Sequence, residues 1–184
     1  MSFQFHPAQI SHLEEIMQLL HDARRWHSEI NVSQWPIFEV DRIVEDIAAT
    51  RLLVLSRDGS AVGAVTIAEE DPLIWTDDVP ALYVHRLVVA RSLKGQDLGR
   101  VMVNLVEDRA IELRKSVLRL DCWANNVRLK NYYERLGFRN IGDITIGSVP
   151  SLPKHYQNST TTRFERPCAQ RSVGAISSRS AVTL

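Results

Sequence analysis

The sequence predicts an α/β fold on a mixed sheet, and two observations carry that reading. First, Asp58-Gly59 separates two apolar runs, 51–56 and 61–67. Asp-Gly in that setting is the strongest short-range signal for an antiparallel hairpin. Second, an apolar run at 81–89, a glycine-bearing turn, a helical pattern from Leu98 and another apolar run at 117–123 make a strand–turn–helix–strand unit. A chain of 184 residues is long enough to bury one proper core. We place a single domain at 1–166. The Ser-, Arg- and Ala-rich stretch 167–184 has no periodicity and reads as a disordered tail.

The elements follow in order. Residues 3–6 alternate apolar and polar, as a short strand does. Ser11 and Glu14 have capping-box spacing. Leu13, Ile16, Met17, Leu20 and Ala23 then share one helical face, in a helix expected to reach Glu29. Pro36 interrupts the chain, and Val40, Ile43, Val44 and Ile47 suggest a second amphipathic helix. Trp26, Trp35 and Trp75 lie at or beyond the ends of these elements. They read either as packing residues or as walls of a substrate pocket. Glu69, Glu70 and Asp71, with Asp77 and Asp78 beyond, read either as a solvated loop or as a lining that favours a cationic substrate such as an amine.

The run 81–89 is rich in β-branched and large apolar residues and predicts a buried strand. From Leu98, the residues Val101, Met102, Leu105, Val106 and Leu113 keep helical spacing. Lys94 to Gly99 is therefore a strand-to-helix turn. Amides at a helix start lack partners, the dipole adds positive charge, and glycines let an anion approach the backbone. After the strand at 117–123, Asn125 and Asn126 are good helix caps. Leu129, Tyr132, Tyr133 and Leu136 share a face. Gly137 suits a left-handed helix end, and Phe138 opens the next strand. Two more strands are expected at 140–146 and 160–165.

Composition narrows the partners. Lys+Arg (22) balance Asp+Glu (22), so no net field argues for nucleic acid or an anionic membrane. No apolar run approaches the roughly 18 residues of a span, and the N-terminus lacks a signal-peptide pattern. The expected location is cytoplasmic. The cysteines, Cys122 and Cys168, are too few for a disulfide scaffold or metal cluster, and the six histidines show no ligand spacing. No metal is expected. Cys122, within a strand, reads as a small buried hydrophobe and not as a nucleophile.

Taken together, the motifs resemble the GNAT superfamily of acyl-CoA-dependent N-acetyltransferases. Lys94-Gly95-Gln96-Asp97-Leu98-Gly99 is similar to the family's pyrophosphate loop, Arg/Gln-x-x-Gly-x-Gly/Ala. Asn126 followed by Tyr133-Glu134-Arg135-Leu136-Gly137-Phe138 is similar to its Asn-(x)-Tyr-(x)-Gly-Phe segment. Lys94 stands in for Arg or Gln, and Asp97 stands in for a glycine. If position 97 takes a positive φ, Asp is among the tolerated residues. Its carboxylate must then turn outward, away from a pyrophosphate.

The resemblance implies a three-layer fold whose central sheet splays between the 81–89 and 117–123 strands. It also implies acetyl-CoA as co-substrate. The pantetheine arm would lie along Leu87, Val88 and Val89, and the pyrophosphate on Lys94, Gly95, Gln96, Asp97, Leu98, Gly99 and Arg100, with Asn126 helping to hold it. The reaction would be direct attack of an amine, with a small molecule as partner. An alkyl ammonium of pKa about 10 must first lose a proton, at a cost of about 4 kcal/mol at pH 7. His85 is nominated as base, on the expectation that it lies on the same strand face as Leu87, with Tyr83 and the carboxylates Glu69 and Glu70 as weaker alternatives. A backbone N–H at Leu87 or beside it would stabilise the oxyanion. Tyr133 would protonate the departing thiolate. The acceptor side would include Trp26, Trp35, Glu69, Trp75 and the segment 148–159. A non-catalytic acyl-CoA-binding or regulatory module and a peptide N-acetyltransferase are the alternative readings. A homodimer is possible, since dimers are common in the family.

Overall fold

In a computed structural model, the residues described are 3–30, 35–148, 157–169 and 181–182. They contain strands β1 (Phe3–Pro7), β2 (Leu52–Arg57), β3 (Ser60–Ala68), β4 (Ala81–Val89), β5 (Val117–Trp123), β6 (Arg139–Ile146), β7 (Ser159–Pro167) and β8 (Ala181–Val182). The helices are α1 (Leu13–Glu29), α2 (Val40–Ala48), α3 (Leu98–Glu112) and α4 (Val127–Arg135). One sheet runs in the order β6-β7-β5-β4-β3-β2-β1-β8. Every neighbouring pair is antiparallel except β4 and β5, so the sheet is mixed. No helix of the described residues is long and apolar enough to cross a membrane.

Alternation along the strands sorts side chains between two helical layers. Leu53, Leu55, Val65, Leu82, Val84, Leu118 and Leu120 join α3 and α4 on one face. Leu52, Val54, Ala64 and Val88 join α1 and α2 on the other. In α1, the expected residues Ile16 and Leu20 are buried, and Met17 and Ala23 pack beside them. The helix start differs from expectation. A 3-10 turn at Ile10–His12 precedes it, and the Gln9 N–H donates to His12 Nδ1 at 2.9 Å, so Ser11 is not the cap of α1. In α3 the buried line is Leu98, Met102, Val103, Val106 and Ala110. Val103 belongs to it and Val101 lies at its flank, a correction of one position to the expected face.

Two features of β4 position the site. β4 pairs with β5 only over Ala81–Tyr83 against Val117–Arg119. Beyond Tyr83 the strands part, which is the expected splay. β5 continues against β7 as far as Trp123. On its other side, β4 pairs Thr66 with His85 and Ala64 with Val88, so Val65 faces both Arg86 and Leu87. This is a β-bulge. Arg86 takes a left-handed φ of 52°, a conformation that costs a non-glycine residue roughly 1–2 kcal/mol.

The tail differs from expectation where it is described. Cys168 N–H donates to Ser116 O at 2.9 Å, Ala169 N–H donates to Glu107 Oε1 at 3.0 Å, and 181–182 pair with β1. The rest of the tail, and most of the segment 148–159, lie outside the described residues.

Candidate active site

The turn after β4 builds a cradle of backbone amides at the start of α3. Gly95 (φ 91°) and Asp97 (φ 51°) both take left-handed backbone, as position 97 requires if glycine is the usual occupant. Asp97 precedes α3, and Arg100 and Val101 send the first helical hydrogen bonds back to its carbonyl, at 3.0 and 3.2 Å. The Leu98 and Gly99 amides therefore have no intrahelical acceptor. A Cβ built on Gly95 meets nothing within 4 Å, so the cradle is open there. A Cβ on Gly99 would come within 2.2 Å of the Tyr132 hydroxyl, which lies across the helix start. The Asp97 carboxylate is turned aside: Oδ2 accepts from Arg100 Nε at 2.6 Å in an exposed ion pair.

This cradle opens into a cleft of about 570 Å³. The opened edge of β4 contributes Leu87 and Val89, and the loop contributes Lys94, Gly95, Asp97, Leu98 and Gly99. From α4 come the cap Asn126, Tyr132 and Tyr133. Gln96, Arg100 and Val88 are not part of its wall. Val88 is buried on the α1/α2 face, because the bulge turns it there. Asn126 does two jobs at this point: its Oδ1 caps α4 by accepting from Leu129 N–H at 3.1 Å, and its side chain borders the cleft.

Tyr133 is buried among Phe138 and Phe164, with ring centroids 5.9 and 5.6 Å away. Burial, reinforced by Cys122 and Asp121, holds its phenol well above the usual range, so it stays protonated. Cys122 is pushed up to about 12, chiefly by burial. A thiol held neutral in this way is a poor nucleophile.

His85 does not share a face with Leu87, which corrects the expectation above. Leu82 and Val84 point to the α3/α4 face, and the bulge at Arg86 brings Leu87 and Val89 back to that face. His85 points the other way. There its Nε2 lies 4.0 Å from Asp71 Oδ2. Asp71, His85 and Asp121 each present a ligand atom, all within 4.8 Å of one another. Asp121 Oδ2 also accepts from Thr161 Oγ1 at 2.6 Å. Burial and the neighbouring Asp121 push Asp71 up to about 6. Burial lowers the His85 pKa below 6.5, against the opposing pull of Asp121. The cluster is therefore short of positive charge. Among the described residues, no Lys or Arg is ion-paired with Asp71 or Asp121. It suits an ammonium group or a metal ion.

The aromatic candidates disperse. Trp75 is buried, stacked under Arg119 at 4.1 Å and near Arg163 at 5.4 Å, and offers no open wall. Trp35 packs edge-on against His27 and Phe38. Trp26 borders the α3 cleft and not the Asp71 side, with Arg91 and Arg128 over its ring at 4.1 and 5.5 Å. Glu69 is exposed and pairs with Lys115 at 2.8 Å, so it is not in the cluster. The members that sequence reasoning did not single out are Asp121 and, behind the bulge, Arg86 with Asp46. For Asp121 a signal existed. Arg119 and Asp121 alternate with Leu118, Leu120 and Cys122, marking a polar face on an otherwise buried strand.

Three comparisons bear on this geometry. The model of a family described as the acetyltransferase (GNAT) family matches residues 20–138. The chain is 28% identical over 146 residues to the uncharacterized N-acetyltransferase YesJ of Bacillus subtilis (strain 168), covering 74% of this chain and 81% of that one. A GNAT-family acetyltransferase from Listeria monocytogenes 4b F2365 matches with a TM-score of 0.70 and 25% identity, over 90% of this chain and 94% of that chain. The Salmonella typhimurium protein yncA, determined with its cofactor acetyl-CoA, shares the fold at a TM-score of 0.64 and 14% identity, over 95% of this chain and 99% of that chain.

Proposed function

The chain belongs to the acetyltransferase (GNAT) family and is an acyltransferase, and on that premise we propose that it moves an acetyl group from acetyl-CoA to a primary amine, a small molecule, by direct attack. The observation that carries this is the single cleft shared by the Leu98–Gly99 amides, the opened β4 edge at Leu87 and Val89, and Tyr133. The residues fit the co-substrate. Unpartnered amides and an open Gly95 suit a pyrophosphate, and an edge strand without a neighbour suits an extended pantetheine arm. The salmonella neighbour holds acetyl-CoA on the same fold.

When bound, acetyl-CoA supplies an activated acyl group as a thioester. The chain's own residues do the rest. The Leu87 N–H, on the stretch of β4 that has parted from β5, would donate toward the acyl oxygen. Tyr133, kept protonated by burial, supplies a proton to the departing sulfur. On the opposite face, Asp71 and Asp121 attract an ammonium group and His85 takes its proton. Cofactor and amine thus approach from the two faces of the sheet and meet where β4 and β5 part.

The test is a calorimetric titration of CoA and acetyl-CoA, followed by thiol release with a broad amine panel. Micromolar binding and turnover with one amine class support the reading. Binding without turnover favours a non-catalytic acyl-CoA-binding module, a reading that the Asp97 carboxylate in the loop motivates. Preference for peptides over small amines moves the acceptor to a protein N-terminus or lysine. Absence of CoA binding overturns the proposal.

A further inference from the structure

Arg86 is an odd residue for its backbone. Six non-glycine residues take a positive φ among the described residues: Thr50, Asp58, Arg86, Asp97, Arg114 and Asn158. Arg86 alone lies inside a strand. Glycine adopts this conformation without strain, so an arginine here persists only if its surroundings over-determine it. Its side chain supplies the reason.

The Arg86 guanidinium donates from Nη2 to Asp46 Oδ2. Asp46 is on α2, its residue only 6% exposed. The other carboxylate oxygen, Oδ1, is taken by Arg51, from Nε at 2.9 Å and Nη2 at 2.7 Å. The two arginines thus use separate oxygens. Arg51 is also tied through its backbone: its N–H donates to Asp46 O and its carbonyl accepts from Ile67 N–H. The side-chain ion pair of Arg86 is with Asp46. Its further contact is the Phe38 ring, 5.9 Å away, just ahead of α2. One buried carboxylate on one helix therefore holds the strained residue of β4.

That residue sets two things at once. It puts Arg86 and Leu87 opposite Val65, so the one-to-one pairing of β3 and β4 is broken at Leu87. It also reverses the facing of every side chain after it, which separates His85 from Leu87. We propose that Asp46, acting through Arg86, is the positioning group that holds the β4 bulge and thereby aims the Leu87 N–H at the acyl group. This rests on the acetyl-CoA reading above. Asp46 itself touches neither reactant.

The test uses the full chain, labelled for NMR. In the wild type, Arg86 should show the backbone carbon shifts of a left-handed residue. Acetyl-CoA should move the Leu87 amide proton downfield relative to CoA, which has no acyl oxygen. Asp46→Leu should lose both signals while CoA still binds. Asp46→Asn, which keeps one oxygen for a guanidinium, should show an intermediate loss, and it carries the test if the leucine variant fails to fold. Arg51→Leu removes the other partner of Asp46 and should leave both signals in place. If both Asp46 variants keep the left-handed Arg86 shifts and the acyl-dependent Leu87 shift, the proposal is wrong and the acetyl-CoA reading stands. If Arg51→Leu abolishes the signals as thoroughly as Asp46→Leu, the effect is general docking of α2 and the proposal is again wrong. If wild type binds neither CoA nor acetyl-CoA, the acetyl-CoA reading falls and takes the proposal with it.

Discussion

His85 and Leu87, two residues apart in β4, project from opposite faces of the sheet, because Arg86 between them takes a φ of 52°. In a regular strand they would share a face. The bulge thus divides β4 between two faces: Leu87 turns toward the α3 cleft, and His85 toward the carboxylates of Asp71 and Asp121.

A pH profile follows from that second group. In the proposed reaction neutral His85 is the proton acceptor, and burial holds its pKa below 6.5, with Asp121 and Asp46 pulling upward and Arg86 downward. Asp71 titrates nearby, at about 6. Activity should be present above these values and fall as pH drops through them. The apparent pKa values belong to the cluster and not to one residue. At saturating amine, kcat should show an acid limb steeper than a single titration. His85→Gln should reduce that limb to one step and lower kcat by about 10²-fold. An unchanged limb in the variant would remove His85 from the mechanism.

Asp71 should also cost stability. Its folded pKa is raised from 3.8 to about 6, so the folded state holds its proton more tightly than the unfolded one does. Stability is therefore lost as pH rises from about 4 to 6, and the loss is complete above that. At 1.36 kcal/mol per pKa unit the full gap is about 3 kcal/mol, which solvent around the carboxyl reduces to about 1–2. Asp71→Asn should raise the melting temperature at pH 7.5, with the gain shrinking toward pH 5. A variant less stable than wild type at pH 7.5 would show that another group neutralises Asp71.

Much of the architecture was legible because burial imposes period. β4 and β5 read from runs rich in large and β-branched apolar residues, and α4 from its cap at Asn126 and the spacing of Tyr133 and Leu136. The turn before α3 read from its glycines and from an aspartate tolerant of left-handed backbone. The rest depended on contacts between distant segments. A period-two reading of β4 placed His85 on the wrong face, since nothing local marks Arg86 as a bulge. The carboxylate that pairs with it, Asp46, is forty residues away. Asp71, His85 and Asp121 come from a loop and two strands, so no sequence spacing announces their convergence. Trp75 failed as a pocket wall for a related reason: the two guanidinium groups beside it, Arg119 and Arg163, come from β5 and β7.

Asp97 should weaken cofactor binding without disabling it. Its carboxylate pairs with Arg100, but it remains a negative charge beside the amides of Leu98 and Gly99. Near an exposed phosphate such a charge costs about 1 kcal/mol, or roughly fivefold in affinity. Asp97→Gly removes it, frees Arg100 and relieves the left-handed side chain. CoA should bind about fivefold more tightly to the variant, and the gain should shrink at 1 M salt, where screening acts within about 3 Å. Weaker binding by the variant would mean that the Asp97–Arg100 pair orders the loop.

Tyr133 separates chemistry from packing. Its ring fills the space between Phe138 and Phe164, and phenylalanine keeps that ring while removing only the hydroxyl. A structural role would therefore survive Tyr133→Phe with little change in melting temperature or in CoA affinity. A proton donor would not. The expected result is unchanged CoA binding with kcat lowered by about 10²-fold, and less for acyl donors whose leaving thiol is more acidic. Such donors need less help from an acid, so the gap between variant and wild type should narrow with falling thiol pKa. Equal loss for every donor would place the hydroxyl in binding instead. Cys122, on β5 and pushed up to about 12, supplies the control: Cys122→Ala should leave kcat within about twofold, since a thiol so far from ionisation contributes no nucleophile at neutral pH.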